Sequence, residues 1–182
     1  MRAGYDLFFV TSHPQNYNMY QNMRHFVLFA FTLIIAACSS LSSAERAERA
    51  AKVAQSVEKA LAERRYTVSI NTMLPRRGKV VNVSPDYSLE VKGDTLVSYL
   101  PYFGRAYNVP YGGGKGYNFT APIMDYQATK NSKGNTRIKF RTDNEEDIIT
   151  FMLDIFPNGN ATIDVTARER EPISYSGQID VE

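Results

Sequence analysis

Cys38 is the only cysteine in the 182-residue chain, and it directly follows an apolar run over residues 26–37. Of the protein side chains, a thiolate is the one that forms a thioether under mild conditions, so this position is suited to covalent attachment of a carbon chain. Both histidines, His13 and His25, precede Cys38. The residues after Cys38 therefore lack imidazole and a second thiol, which excludes Ser-His-Asp catalysis, Cys-His catalysis and the usual zinc sites.

The residues around Cys38 follow the order of a bacterial lipoprotein signal. Arg24 and His25 give a short positive start, and the apolar run is far shorter than the ~20 residues that span a bilayer. Ile35-Ala-Ala-Cys38 resembles the lipobox of signal peptidase II substrates. The resemblance implies cleavage before Cys38, acylation of Cys38 with chains such as palmitate, and stable anchoring to a membrane through several fatty chains.

These features divide the chain into four parts. Because a signal peptide opens with its charged region, we predict that residues 1–22 are a mis-annotated extension and that translation begins at Met23, or else at Met19. We assign residues 23–37 to the signal peptide, 38–43 to the acylated cysteine and a tether, and 44–182 to a single domain. No aspartate stands at Ser39 or Ser40 and no acidic run follows, so we expect the periplasmic face of the outer membrane, with exposure at the cell surface left open.

Composition and motifs argue against several partners. A net charge of +2 gives no basic footprint for nucleic acid. Gly112-Gly-Gly-Lys-Gly116 lacks the spacing and the Ser or Thr of a phosphate loop, so no nucleotide is expected. The acidic residues between Asp143 and Asp147 lack the glycine of a calcium loop and are better explained as a hairpin turn. We therefore predict no cofactor and no metal, and the oligomeric state stays unknown.

The pattern of apolar residues predicts an α+β fold. Residues 44–65 form one amphipathic helix whose apolar stripe is Ala47, Ala50, Ala54, Val57 and Leu61. From Tyr66 onward the period changes to two, as in antiparallel strands, with hairpin turns at Gly93-Asp94 and Asn158-Gly159. We expect the N-terminal helix to pack on an antiparallel β-meander sheet of roughly eight strands. Closure of that sheet into a β-barrel is the alternative.

The stretch over residues 99–119 concentrates aromatic residues, glycines and prolines. As a binding surface it would offer flat rings and a cation suited to sugars, peptides, carboxylates or phosphates. As structure, the same rings would fill a core beneath a long loop. Both interpretations stay open, and the candidate ligand-binding residues are Tyr102, Phe103, Arg105, Tyr107 and Tyr111.

The string Leu100-Pro-Tyr-Phe-Gly-Arg-Ala-Tyr107, together with Tyr87-Ser-Leu-Glu-Val-Lys-Gly-Asp94 before it, resembles a family of predicted lipoproteins from Bacteroidetes known as domain of unknown function 4251. The resemblance implies location and fold, but no catalytic residues. We expect a membrane-anchored envelope lipoprotein that acts as a non-catalytic binding or structural module for a protein or glycan ligand. A periplasmic hydrolase that uses a pair of carboxylates is the alternative.

Overall fold

The computed structural model describes residues 43–107 and 116–180. The predictions for residues 1–42 and for Tyr111 fall outside the described residues. Within these described residues, one helix is followed by nine strands that pair antiparallel. The elements are α1 (Ser43–Ala62), β1 (Arg65–Pro75), β2 (Val81–Asn82), β3 (Ser88–Lys92), β4 (Thr95–Leu100), β5 (Tyr117–Lys130), β6 (Thr136–Asp143), β7 (Ile148–Ile155), β8 (Asn160–Ala167) and β9 (Ile173–Asp180).

The sheet closes on itself through β1. The first half of β1 pairs with β3, while most of its length pairs with β9 on the other side. The order β1-β3-β4-β5-β6-β7-β8-β9 therefore forms a ring of eight strands, and β2 pairs only with the second half of β1. The prediction of an open meander sheet is thus corrected to its stated alternative, a barrel, because β1 is long enough to serve two neighbours and closure removes the unpaired edges.

Alternation along the strands builds the core inside the barrel. In β7, for example, Ile149, Phe151, Leu153 and Ile155 are buried while the residues between them are partly exposed. Aromatic rings stack across the interior, with centroids 5.3 Å apart for Phe140 and Phe151. The predicted period of two is therefore confirmed, and an apolar interior supplies stability to a domain in which no disulfide can form.

The two predicted hairpins occur, but the second differs in its turn. β3 and β4 are joined at Gly93-Asp94, as predicted. Asn158-Gly159 does not form a two-residue turn, because a four-residue loop over residues 156–159 connects β7 to β8. In this loop the Gly159 N–H donates to the Phe156 carbonyl at 2.9 Å, and only Gly159 has a positive φ, of 86°. Pro157, with its fixed φ, suits the second position of such a β-turn.

α1 covers one end of the barrel instead of lying on a sheet face. Val57 is buried in the core, and Ala54 and Leu61 face the turns that join β5 to β6 and β7 to β8. All residues from 43 to 52 are exposed, so the predicted contribution of Ala47 and Ala50 to the packed stripe is wrong. The described residues include no helix whose length and hydropathy would allow it to traverse a membrane.

Candidate functional site

The end of the barrel opposite α1, which we call the mouth, is crossed by residues 101–107, which we call the strap. The strap leaves the end of β4 and forms a short antiparallel ladder with the β8–β9 connection. The Tyr107 N–H donates to the Glu169 carbonyl at 2.7 Å, and the Glu171 N–H donates to the Arg105 carbonyl at 3.0 Å. Because β4 and β8 stand on opposite sides of the eight-strand ring, the strap spans the mouth.

Tyrosines of the strap and of the barrel hold the strap in place. The Tyr175 hydroxyl donates to the Pro101 carbonyl at 2.6 Å, and the Tyr102 hydroxyl donates to the Arg105 carbonyl at 2.7 Å. The Tyr102 ring meets the Tyr117 ring edge-on, with centroids 5.4 Å apart. Burial raises the pKa of all three tyrosines, so their hydroxyls stay protonated near neutral pH. Tyr102 therefore stabilises the conformation of the strap and is also one of its aromatic residues.

Arg170 is the guanidinium that stacks on these rings. Its Cζ lies 5.3 Å from the centroid of Tyr102 and 5.0 Å from that of Tyr117, within the range of cation–π attraction. Its Nη1 also donates to the Gly116 carbonyl at 3.4 Å. Arg105, expected among the rings, is instead exposed on the strap.

Glu171 follows Arg170 and is the one buried carboxylate among the described residues, with 7% of its surface exposed. Its Oε1 lies 3.7 Å from Nε of Arg77, which is mostly exposed. Neither Arg170 nor Glu171 was predicted from the sequence. The alternating charges of residues 168–171 were the available signal, because alternate residues of an extended segment share a face.

The remaining predicted site residues lie outward on the strap. Phe103 and Tyr107 are 69% and 68% exposed, and Arg105 is exposed between them. Tyr111 lies outside the described residues. The strap therefore presents two large aromatic side chains and one cation to solvent while its backbone is tied to the barrel.

The β6–β7 turn adds acidic groups beside the strap. The Asn144 Oδ1 accepts from the Asp147 N–H at 2.9 Å, which shapes the turn. The Asp147 carboxylate accepts from the backbone N–H groups of Arg168 and Glu169, at 3.1 and 2.8 Å. The expected hairpin turn is present, and in residues 43–107 and 116–180 no group of three or more acidic, His or Cys side chains converges as a metal site.

A cavity of about 260 Å³ opens between this turn and the β8–β9 connection. It exists because β6 ends at Asp143, just past the Ile123–Thr142 pair, so β5 extends beyond its neighbour toward the mouth. The residues that line it are Tyr117, Asn144, Glu146, Asp147, Ile149, Glu169 and Arg170. A larger, open groove of about 720 Å³ lies at the end of the barrel that α1 covers, between α1 and the ends of β1, β3 and β9. This groove is far from the aromatic strap.

The same fold occurs in proteins related to this one. The profile of the domain of unknown function DUF4251 matches residues 48–179. This chain belongs to the DUF4251 family. A crystal structure of a DUF4251 family protein from Bacteroides eggerthii DSM 20697 is similar, with a TM-score of 0.58 and 17% sequence identity over 72% of this chain and 89% of that chain. No curated protein matches this DUF4251 chain.

At the mouth, this DUF4251 protein combines exposed rings, a stacked guanidinium and a polar cavity. Rings and hydrogen-bonding groups in one place are suited to holding a ligand. The exposed residues come from a strap that the barrel fixes at several points, so the fold itself sets their backbone positions.

Proposed function

We propose that this DUF4251 protein is a lipid-anchored, non-catalytic binding module of the bacterial envelope, and that the mouth of its barrel holds a protein or glycan ligand. The exposure of Phe103 and Tyr107 on a strap pinned at both ends is the observation that carries the proposal. Large, solvent-exposed aromatic side chains on an ordered backbone are typical of recognition surfaces.

The distribution of carboxylates favours binding over hydrolysis. A glycoside hydrolase needs two carboxyl groups that face each other across the scissile bond. Among the described residues only Glu171 is a buried carboxylate, and Arg77 faces it at 3.7 Å. Apolar side chains fill most of the barrel interior.

The hydrolase alternative has one specific candidate pair, Glu146 and Glu169 in the wall of the cavity. The third carboxylate there, that of Asp147, is occupied by two backbone N–H groups and is a poor candidate for proton transfer. Incubation with glycans followed by detection of new reducing ends tests this alternative. If the wild-type protein releases product and the Glu146→Gln and Glu169→Gln variants do not, an enzymatic function would replace the binding proposal.

Binding is tested with the acylated protein in detergent on arrays of envelope glycans and with envelope proteins from the host. We expect the Phe103→Ala/Tyr107→Ala variant to lose binding at least tenfold without a change in melting temperature. Tyr99→Ala, which removes an exposed ring from the outer wall of the barrel, is the matched control and should keep binding. Equal binding by the strap variant would contradict the proposal.

The anchor is tested separately, by growth with a clickable palmitate analogue. Cys38 is the only available thiol, so we expect labelling of the wild-type chain and none of Cys38→Ala. Protease treatment of intact cells then distinguishes the proposed periplasmic face from the cell surface. Rapid digestion would indicate that the domain lies at the cell surface.

A further inference from the structure

We propose that the mouth binds an extended peptide segment of a partner protein, with a positive side chain at one end of the segment and a carboxylate at the other. This inference rests on the proposed function, because it narrows the ligand of the mouth to a protein and states the charges that it must carry. The strap separates a basic side of the mouth from an acidic side, and its exposed rings lie between them.

The strap divides the mouth into two sides. It runs from the end of β4 to the β8–β9 connection, so β3, β1 and β9 lie on one side of it while β5, β6 and β7 lie on the other. The β1–β2 turn, residues 76–80, and the β6–β7 turn, residues 144–147, are therefore on opposite sides. In the ring of eight strands β1 and β6 are four positions apart, which is the largest separation that such a ring allows.

The β1–β2 turn forms the basic side. It includes three exposed cations and no acidic residue: Arg76, Arg77 and Lys79. Of these three, only Arg77 forms an ion pair with another described residue, the buried Glu171, at 3.7 Å. Arg105 adds an exposed cation on the strap, and its carbonyl accepts from the N–H of Glu171. A carboxylate of a ligand would therefore be attracted to this side of the mouth.

The β6–β7 turn and the end of β6 form the acidic side. Residues 143–147 include no cation and four carboxylates, those of Asp143, Glu145, Glu146 and Asp147. None of the four forms an ion pair with another described residue. The cavity of about 260 Å³ lies on this side, where Glu146, Asp147 and Glu169 outnumber the one cation in the wall, Arg170. An ammonium or guanidinium group of a ligand would therefore be attracted to this side.

The segments between the two sides do not remove this contrast. Residues 168–171, in the β8–β9 connection, alternate two cations with two carboxylates, so their net charge is zero. Asp86, the acidic residue that follows the β1–β2 turn, is in a turn level with Ile70 and therefore lies farther down the barrel wall. A ligand with charges of one sign would be attracted at one side of the strap and repelled at the other, whereas a ligand with both signs is attracted at both.

The width of the mouth indicates an extended segment. Eight strands spaced about 4.8 Å apart and tilted by about 40° close into a ring about 16 Å across. An extended chain spans at most ~3.5 Å per residue, so about five residues reach from one side to the other. Phe103 and Tyr107, which are 69% and 68% exposed, lie on the strap that this segment must cross. Apolar side chains in the middle of the segment would pack on these rings.

A peptide is the class of ligand that meets all of these requirements. A few consecutive amino acids supply a cation, apolar side chains and a carboxylate in that order. A neutral glycan would leave both charged sides without partners, and an anionic glycan would be repelled by the acidic side. A second copy bound mouth to mouth would match the charges, but its α1 would lie at the far end of the pair. Under the proposed anchoring, the two copies could not then stand on one membrane.

The test is a titration of the full acylated chain in neutral detergent with synthetic peptides, followed by amide chemical shifts in NMR spectra. The peptides are about seven residues long, with blocked termini, a central tyrosine and serines elsewhere. One carries lysine at one end and glutamate at the other, and the comparison peptides carry two lysines, two glutamates or two serines at the ends.

We expect the mixed-charge peptide to bind at least fivefold more tightly than each comparison peptide at about 20 mM salt, and to lose most of this advantage at about 500 mM. Its binding should shift the amides of residues 76–80 and 144–147 together. Equally tight binding by any comparison peptide, or absence of shifts with all four peptides, would overturn the inference.

The decisive variants reverse the charge of one side. Arg76→Glu/Lys79→Glu makes both sides acidic, so the preference should move from the mixed-charge peptide to the peptide with two lysines. Glu145→Lys/Glu146→Lys makes both sides basic, so the preference should move to the peptide with two glutamates. A variant that merely unfolds would weaken all four peptides alike and cannot produce these opposite changes.

The matched control is Arg46→Glu/Arg49→Glu, which changes the net charge as much as Arg76→Glu/Lys79→Glu does, but in the exposed half of α1. We expect this control to keep the preference of the wild-type chain. If neither reversal at the mouth changes the order in which the four peptides bind, the turns do not select the ligand and the inference is wrong.

The two proposals fail in different ways. If Phe103→Ala/Tyr107→Ala abolishes binding on arrays but the charge reversals change nothing, the strap is the binding surface and the peptide inference is wrong. Self-association of the wild-type chain in sedimentation, lost in the charge-reversed variants, would assign the mouth to a second copy and would also overturn the inference. If none of these changes affects binding of any glycan or protein, the proposed function itself is wrong.

Discussion

The two ends of the barrel are closed by different physical means. At one end α1 places the apolar side chain of Val57 into the core, and the closure depends on hydrophobic burial. At the other end the strap lies on tyrosines and is held by backbone hydrogen bonds and a stacked guanidinium. The apolar end includes no buried polar group that lacks a partner among the described residues, whereas the mouth includes the Tyr117 hydroxyl. The helix end is therefore stabilised mainly by apolar burial, and the strap end mainly by hydrogen bonds and ring contacts.

The largest effect should come from charge at the helix end. Val57→Asp places a carboxylate without a partner where the native side chain is 4% exposed. We expect a loss of about 3–5 kcal/mol in the free energy of unfolding, measured with urea. Ala47→Asp, in the exposed half of the same helix, is the control and should cost less than ~1 kcal/mol. Similar losses for both variants would contradict the assignment of α1 as a plug.

At the mouth, the largest effect should come from Gly116. A Cβ on this residue would lie 2.2 Å from the carbonyl oxygen of Leu100, and backbone atoms cannot rotate away as a side chain can. We expect Gly116→Ala to lower the free energy of unfolding by about 2–3 kcal/mol. Amide hydrogen exchange of Tyr107 should also accelerate, since the strap begins at the displaced backbone. Slow exchange at Tyr107 in this variant would show that the strap is independent of this close approach.

Tyr175→Phe should have a smaller effect of about 1–2 kcal/mol on unfolding. The change leaves the Pro101 carbonyl without the donor that now lies 2.6 Å away. Tyr117→Phe removes a hydroxyl that has no partner among residues 43–107 and 116–180, so it should cost nothing. This opposite behaviour of two neighbouring tyrosines is measured by thermal unfolding, and equal losses would contradict the distinction between the hydrogen-bonded hydroxyl of Tyr175 and the unpartnered hydroxyl of Tyr117.

The smallest effect should come from an exposed charged pair on the outer wall of the barrel, close to its helix end. Arg137 donates to both carboxylate oxygens of Asp154, at 2.7 and 2.8 Å, and these hydrogen bonds hold the pKa of Asp154 below its usual value. The stabilisation is therefore present above the unfolded pKa of about 3.9 and is lost as pH falls through the lower folded value. Asp154→Asn should slightly lower stability at neutral pH and flatten its dependence on pH below about 4. An unchanged acid profile would contradict this assignment.

Local features of the fold could be predicted from the sequence. Alternation places Tyr66, Val68 and Ile70 on one buried face, as expected, and Gly93-Asp94 forms the predicted hairpin. Barrel closure could be stated only as an alternative, because it depends on pairing between β1 and β9, whose paired residues lie 98 to 113 positions apart. Local periodicity carries no information about such a distant partner.

The candidate site could be predicted only in part, for a similar reason. The aromatic composition of residues 99–119 identified the segment, but could not tell which rings support the strap and which face solvent. Tyr102 is half-buried, whereas Phe103 and Tyr107 are exposed. Arg170 reaches Tyr102 and Tyr117 from a distant connection, so its position depends on the completed barrel.

The exposed first half of α1 has a mechanical consequence. Residues 43–52 form helix without packing on the barrel, helped by the ion pair of Glu48 and Lys52 at 2.8 Å. No packing against the barrel holds this segment, so tension applied to the chain ahead of Ser43 would unwind it before it disturbs the barrel. Unwinding would add about 20 Å of length, because an extended residue spans roughly 3.5 Å and a helical one 1.5 Å. Under the proposed anchoring at Cys38, these residues would lengthen under load before the barrel unfolds.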